Sequence, residues 1–215
     1  LFAGMCVLTA LLGVANGLGY QATTVAEATR ALKWSLGAAT LFFVVFAWFV
    51  GEYTGVRPKR LLVAYSMLGA GFLALNAALP FSLQYHDMRG IVRLRLPWGE
   101  TVSLPACPGN PWFALGRVLA YLAYGFAFYA LVKLYRRGRW RAALIMMIAI
   151  GFKVLATTQG ILVRLDVIQF IHLGPFGYLG MVIVMSMVLN HELRQRGRRM
   201  RTILDHVPAV VYMKD

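Results

Sequence analysis

Six apolar runs, each close to the length that crosses a lipid bilayer, limit what this chain can fold into. They cover roughly residues 1–20, 32–50, 61–79, 112–134, 142–163 and 170–190. About 20 residues rising 1.5 Å each cross a hydrocarbon layer of about 30 Å. The composition agrees: 60% of the 215 residues are apolar and only 14% are charged, whereas soluble domains carry about a quarter charged residues. The expected fold is an all-α polytopic membrane protein with six visible transmembrane helices. The chain opens on Leu1 inside an apolar run and stops at Asp215 in mid-phrase. It therefore reads as a piece of a longer protein, with room for a seventh helix before Leu1.

The basic residues supply a topology. Arg57, Lys59 and Arg60 follow the second run, and Lys133, Arg136, Arg137, Arg139 and Arg141 follow the fourth. Arg194, Arg196, Arg198, Arg199 and Arg201 follow the sixth, which makes thirteen on one side. The other side carries at most seven: Arg30, Lys33, Arg89, Arg93, Arg95, Arg117 and Arg164. The positive-inside rule puts the thirteen in the cytoplasm, as expected for a bacterial inner-membrane protein with a cytoplasmic C-terminus. Trp34, Trp48, Trp112 and Trp140 then fall near membrane borders, where amphipathic rings prefer to sit. The net charge of +14 thus reports orientation. It does not form a phosphate-binding groove, and no nucleic-acid partner is expected.

The one sizeable segment on the opposite, periplasmic side is 80–111. Its centre, Ile91-Val-Arg-Leu-Arg-Leu-Pro-Trp-Gly-Glu-Thr-Val-Ser-Leu, alternates apolar and polar residues about Pro97-Trp98-Gly99-Glu100. That pattern predicts a small β-hairpin. A lone hairpin is marginal in water, so it should pack on the helix ends as a lid.

Candidate site residues come from polar groups at membrane depth. Lys153 lies near the middle of the fifth run, where a lysine costs about 2.5–3.5 kcal/mol on insertion scales and must face the bundle interior. It shares a helix face with Thr157, Gly160 and Arg164, at steps of four, three and four. Pairing with a ligand carboxylate, a retinal Schiff base, and plain hydrogen bonding to main-chain carbonyls are all open to it. The retinal reading lacks a carboxylate counter-ion in mid-span. Asn16, Asn76, Tyr121, Tyr124 and Gln159 are the other polar groups between mid-membrane and the outer surface. They either bond between helices or line, with Lys153, a ligand pocket beneath the hairpin, to which the turn residues Trp98 and Glu100 would add. Pro175 near the start of the sixth run offers either a helix entry or a kinked hinge.

Several chemistries find no support. Cys6 and Cys107 show no metal spacing and no evident disulfide partner. His86 and His172 fall on one side and His191 and His206 on the other, so no facing pair can hold haem. His86 beside Asp87 reads as a solvated loop pair in preference to a metal site. Glu52 and Glu192 lie beside basic residues and most simply form screened ion pairs. No catalytic site, metal or cofactor is expected in this segment.

After the sixth run, Leu189, Leu193, Met200, Ile203 and Val207 are spaced as in a short two-stranded coiled coil. This suggests a juxtamembrane linker over 191–202, with His191 and Met200 as signalling positions. Then comes Ile203-Leu204-Asp205-His206-Val207-Pro208-Ala209-Val210-Val211-Tyr212-Met213-Lys214-Asp215. This stretch resembles the opening of a PAS domain: a short helix with Leu, Asp and Pro, then an apolar strand ending near Asp. The 1–190 region is similar to the multi-helix membrane sensor regions that precede such domains in bacterial sensor histidine kinases and diguanylate cyclases. Phe49-Val-Gly-Glu-Tyr-Thr-Gly-Val-Arg-Pro58 and the Pro-Trp-Gly-Glu turn carry that likeness. The resemblance implies a sensory input module, a homodimer in the bilayer, and an unidentified small-molecule ligand. A histidine kinase is the first expectation for the output, and a diguanylate cyclase the alternative. A transporter is the rival class; it would need a polar path through both halves and often shows repeated, broken helices.

Overall fold

The computed structural model describes residues 1–86, 88, 90–95, 99, 101–105, 110, 113–164 and 173–206. Six helices and one hairpin follow in order: α1 (Phe2–Gln21), α2 (Val25–Thr54), α3 (Lys59–Ala78), β1 (Ile91–Arg95), β2 (Thr101–Pro105), α4 (Phe113–Arg136), α5 (Trp140–Arg164) and α6 (Gly174–His206). All six helices are long and apolar enough to cross a membrane. The fold is that of a multi-pass helical membrane protein, as the apolar runs imply.

Helix α2 is the hub. It packs on α1, α3 and α4, while α4 meets α5, α5 meets α6, and α6 returns to α1. Five helices thus close a ring, and α3 leans on α2 from outside it. The sequence of α2 explains its place, because its apolar residues are spread widely enough that the buried positions Ala38, Phe42, Phe43 and Ala47 span about half of its circumference. A helix apolar all round belongs in an interior. In α1, by contrast, Val7, Leu11, Val14 and Leu18 repeat at steps of four, three and four and are all exposed. Such a stripe is ruinous in water and neutral against lipid, so the bilayer is the solvent that makes this surface tolerable.

Two helices run beyond their apolar cores. The start of α2 lies at Val25, ahead of the apolar run at 32, because Thr24 and Glu27 form a capping box. The Thr24 hydroxyl accepts from the Glu27 amide (3.2 Å), and the Glu27 carboxylate accepts from the Thr24 amide (3.2 Å). Together they satisfy two amides that would otherwise lack partners. At the other end, Gly55 adopts φ +70° and closes the helix. There the Arg137 guanidinium donates to the Thr54 carbonyl (2.9 Å), tying the α2 terminus to the α4–α5 turn. Beside it, Arg57 and Glu52 form an ion pair.

Helix α6 does not stop at the apolar boundary near 190. It continues without interruption through the arginine-bearing 191–202 segment to His206. The first part of the PAS-like stretch, 203–206, belongs to this helix; its remainder, 207–215, lies outside the described residues.

The hairpin forms between β1 and β2, with Ile91 opposite Pro105 and Arg95 opposite Thr101. It packs on α1, and Ile91 joins Ala22, Ala28 and Met88 in a small apolar cluster. The hairpin therefore covers the end of the bundle opposite the basic turns. Of the turn residues, Gly99 has φ +96°, whereas Trp98 and Glu100 lie outside the described residues.

Small residues set the closeness of α3. A Cβ added at Gly69 would meet Val44 Cγ2 at 2.7 Å, whereas one at Gly71 would meet nothing within 4 Å. Crowding a packed contact costs about 1–3 kcal/mol. Gly69→Val should therefore lower the thermal unfolding midpoint in detergent, measured by tryptophan fluorescence, while Gly71→Val leaves it nearly unchanged.

Candidate functional site

A cavity of about 270 Å³ lies inside the ring, bounded by α1, α2, α4, α5 and α6 and roofed by the hairpin side. Roof residues include Gln84, Tyr85, Ile91 and Ser103; Phe72 reaches in from α3. Apolar side chains such as Leu12, Leu36, Phe43 and Ala120 make most of the wall. Beneath it the aromatic core is continuous. Tyr178 meets Phe42 edge-on with ring centroids 4.8 Å apart, and Phe43 meets Tyr124 edge-on at 5.4 Å.

Lys153 sits at the junction of cavity and aromatic floor, 2% exposed. Its ammonium donates to the Gly174 carbonyl (3.2 Å), and its Nζ stands 3.5 Å from the centroid of the Tyr178 ring. Both partners are neutral dipoles or quadrupoles; neither carries a formal charge. Gly177 makes the arrangement possible. A Cβ there would stand 2.8 Å from Lys153 Cδ and 3.0 Å from Ala156 Cβ. The missing side chain of Gly177 opens the face of α6 along which the lysine stem runs. Close approach through small residues is a regular device of membrane helices.

Other polar lining groups are engaged locally. Asn16 donates to the Leu12 carbonyl (2.8 Å) and accepts from the Ser35 hydroxyl (3.1 Å), which joins α1 to α2. The Thr157 hydroxyl donates to the Lys153 carbonyl (2.9 Å) and lies 3.4 Å from the Tyr124 hydroxyl. Arg117, from the first turns of α4, also lines the cavity.

The polar residues singled out in the sequence therefore divide. Lys153 and Asn16 line the cavity, and Tyr124 stands behind it through Thr157. Asn76, Tyr121 and Gln159 are not among its lining residues. Buried Asn76 donates to the Lys33 carbonyl (3.0 Å) and accepts from the Ser82 hydroxyl (2.7 Å), which pins α3 to α2 and to the hairpin-side loop. Tyr121 is 39% exposed on the outer face of α4. Gln159 accepts from the Leu173 amide (3.1 Å), bracing the entry to α6. Pro175 lines the cavity from the first turn of α6, where its missing amide hydrogen is no loss. His191 is exposed on α6 and Met200 lies farther along the same helix. Among the described residues no cluster of His, Cys, Asp or Glu can hold a metal.

Tyr178, Gly174, Gly177, Ser35 and Arg117 escape a reading of the sequence based on polarity at depth. For the three on α6, the spacing Gly174-Pro-Phe-Gly-Tyr178 is the signal: two small residues one turn apart on the face that leads to a tyrosine.

No protein-family model matches the sequence, and no curated protein or solved structure is significantly similar to it.

Asn76 offers a check on this division. Asn76→Leu takes the amide away from the Lys33 carbonyl, the Ser82 hydroxyl and the Leu83 amide, and each buried group left unpaired costs about 1–3 kcal/mol. Ser82, held at φ +66°, loses its anchor. The variant should unfold at lower temperature and become sensitive to limited proteolysis near 82–86.

Proposed function

We propose that this chain is the membrane input module of a bacterial signalling receptor. A small molecule occupies the cavity beneath the hairpin, and α6 passes its presence to a cytoplasmic PAS domain and output enzyme. The observation that carries this reading is the bond from Lys153 to the Gly174 carbonyl. It fastens a cavity-lining side chain to the first residue of α6, and that helix runs unbroken from the cavity to the arginine-rich end. A ligand shifts such an equilibrium only by binding one arrangement better than the other. Contact between ligand and the Lys153–Gly174 link supplies that difference.

The basic turns favour the cytoplasm of the inner membrane by the positive-inside rule, which leaves the hairpin in the periplasm. The PAS-like stretch and the heptad-like spacing of α6 favour a homodimeric histidine kinase, with a diguanylate cyclase as the alternative output. Transport is the rival reading. The described cavity lies at the hairpin end only, which favours a receiver over a path with two mouths.

Two measurements test the proposal. A PAS and output module encoded after Asp215 is expected, and further membrane spans there would count for a transporter. In the full-length protein, Gly177→Ala crowds the lysine stem while it gains about 1 kcal/mol of helix propensity. The variant should fold, yet shift basal output severalfold. Unchanged output would sink the assigned coupling.

A further inference from the structure

We propose that the cavity takes a small organic anion, a monocarboxylate with a short apolar chain, seated with its carboxylate on the Lys153 ammonium. The inference rests on reading this cavity as the ligand site and adds the chemistry of what enters.

Three observations converge on negative charge. First, the described residues lining the cavity include two cations, Lys153 and Arg117, and no carboxylate. Of the acidic side chains described, Glu27 is occupied in the α2 capping box and Glu52 pairs with Arg57 at the opposite end of the bundle. Second, among the described residues the Lys153 ammonium has one hydrogen-bond acceptor, the Gly174 carbonyl. An ammonium has three N–H donors, so it can bond a ligand oxygen without releasing α6. Third, the first turn of α6 lies on the cavity through Gly174 and Pro175. A helix start carries partial positive charge, which raises the energy of an unpaired lysine and lowers that of an anion.

Size and wall chemistry set the rest. Liquid water takes about 30 Å³ per molecule, so 270 Å³ corresponds to roughly nine waters, or a ligand of about ten non-hydrogen atoms. Leu12, Leu36, Phe43 and Ala120 present hydrocarbon to it. The Asn16–Ser35 pair bonds mainly within the wall. A ligand with one charged end and an otherwise apolar body fits the part of this lining around Lys153.

The probe set is octanoate, its neutral methyl ester, octylamine and palmitate. Each is titrated as a radiolabelled compound into the full-length protein in nanodiscs of zwitterionic lipid. Octanoate is expected to bind saturably, with methyl octanoate and octylamine at least tenfold weaker. Lys153→Met should lose the octanoate preference and Lys153→Arg should retain part of it. The comparison within the wild-type protein needs no variant, so a misfolded substitution leaves the test intact. Equal binding of ester and octanoate overturns the anion assignment but spares the cavity as a ligand site. Stronger binding of octylamine does the same. No saturable binding of any probe overturns both. Palmitate bound more tightly than octanoate overturns the size assignment and identifies the bilayer as the source.

Discussion

Lipid offers a polar group no partner, and that constraint governs the interior of this protein. Many of the buried or half-buried hydroxyl and amide side chains described turn to a main-chain carbonyl. Thr40 donates to Leu36, Thr54 to Val50, Ser66 to Leu62 and Asn16 to Leu12, each within its own helix. Among the buried or half-buried side chains described, Tyr65 reaches the Leu119 carbonyl, Asn76 that of Lys33, and Lys153 that of Gly174, each on another helix. These cross-links join α3 to α4, α3 to α2, and α5 to α6. The Trp48 indole adds a fourth link, to the Ser66 hydroxyl of α3. Shape and small residues bring the helices together, and the cross-links fix their register.

Lys153 differs in kind from the other two because it brings a charge. A lone cation in a dry bundle is expensive, and an interior ion without a counter-charge survives only where the gain lies elsewhere. Its contacts, a carbonyl and the face of Tyr178, moderate that cost without cancelling the charge. Structural economy would put a methionine there. On the proposed reading the charge serves to hold a ligand anion, and the bond to the first residue of α6 is where the consequence is felt.

Much of the architecture was legible in the residues. Length and apolarity identify six spans, and the alternation about Pro97–Glu100 yields the hairpin, though not its register. Where the helices outrun their hydrocarbon, the reason is local chemistry that apolarity does not register. The Thr24–Glu27 box starts α2 early, and helical continuity carries α6 through the arginines. The cavity was legible only in part. Polarity at depth picks out Lys153 and Asn16, but equally Asn76 and Gln159, whose partners are carbonyls, amides and hydroxyls of the scaffold. Which way a side chain faces depends on helix rotation, and rotation depends on contacts such as Gly69 on Val44 or Gly177 on Lys153. Those are pairings between distant parts of the chain, and one linear pattern does not contain them.

The unbroken length of α6 has a mechanical consequence. Thirty-three residues at 1.5 Å each make a rod of about 50 Å, some 20 Å longer than a hydrocarbon layer of about 30 Å. A tilt of about 5° pivoting at Gly174 displaces the far end of such a rod by roughly 4 Å. The geometry is that of a lever held at its cavity end. On the proposed reading, linkage makes the lever work in reverse as well: a partner at the arginine-bearing end that is coupled to the cavity changes ligand affinity at Lys153 by the factor by which the ligand changes the partner's. The sensitivity of such a cavity would be set in part by its load.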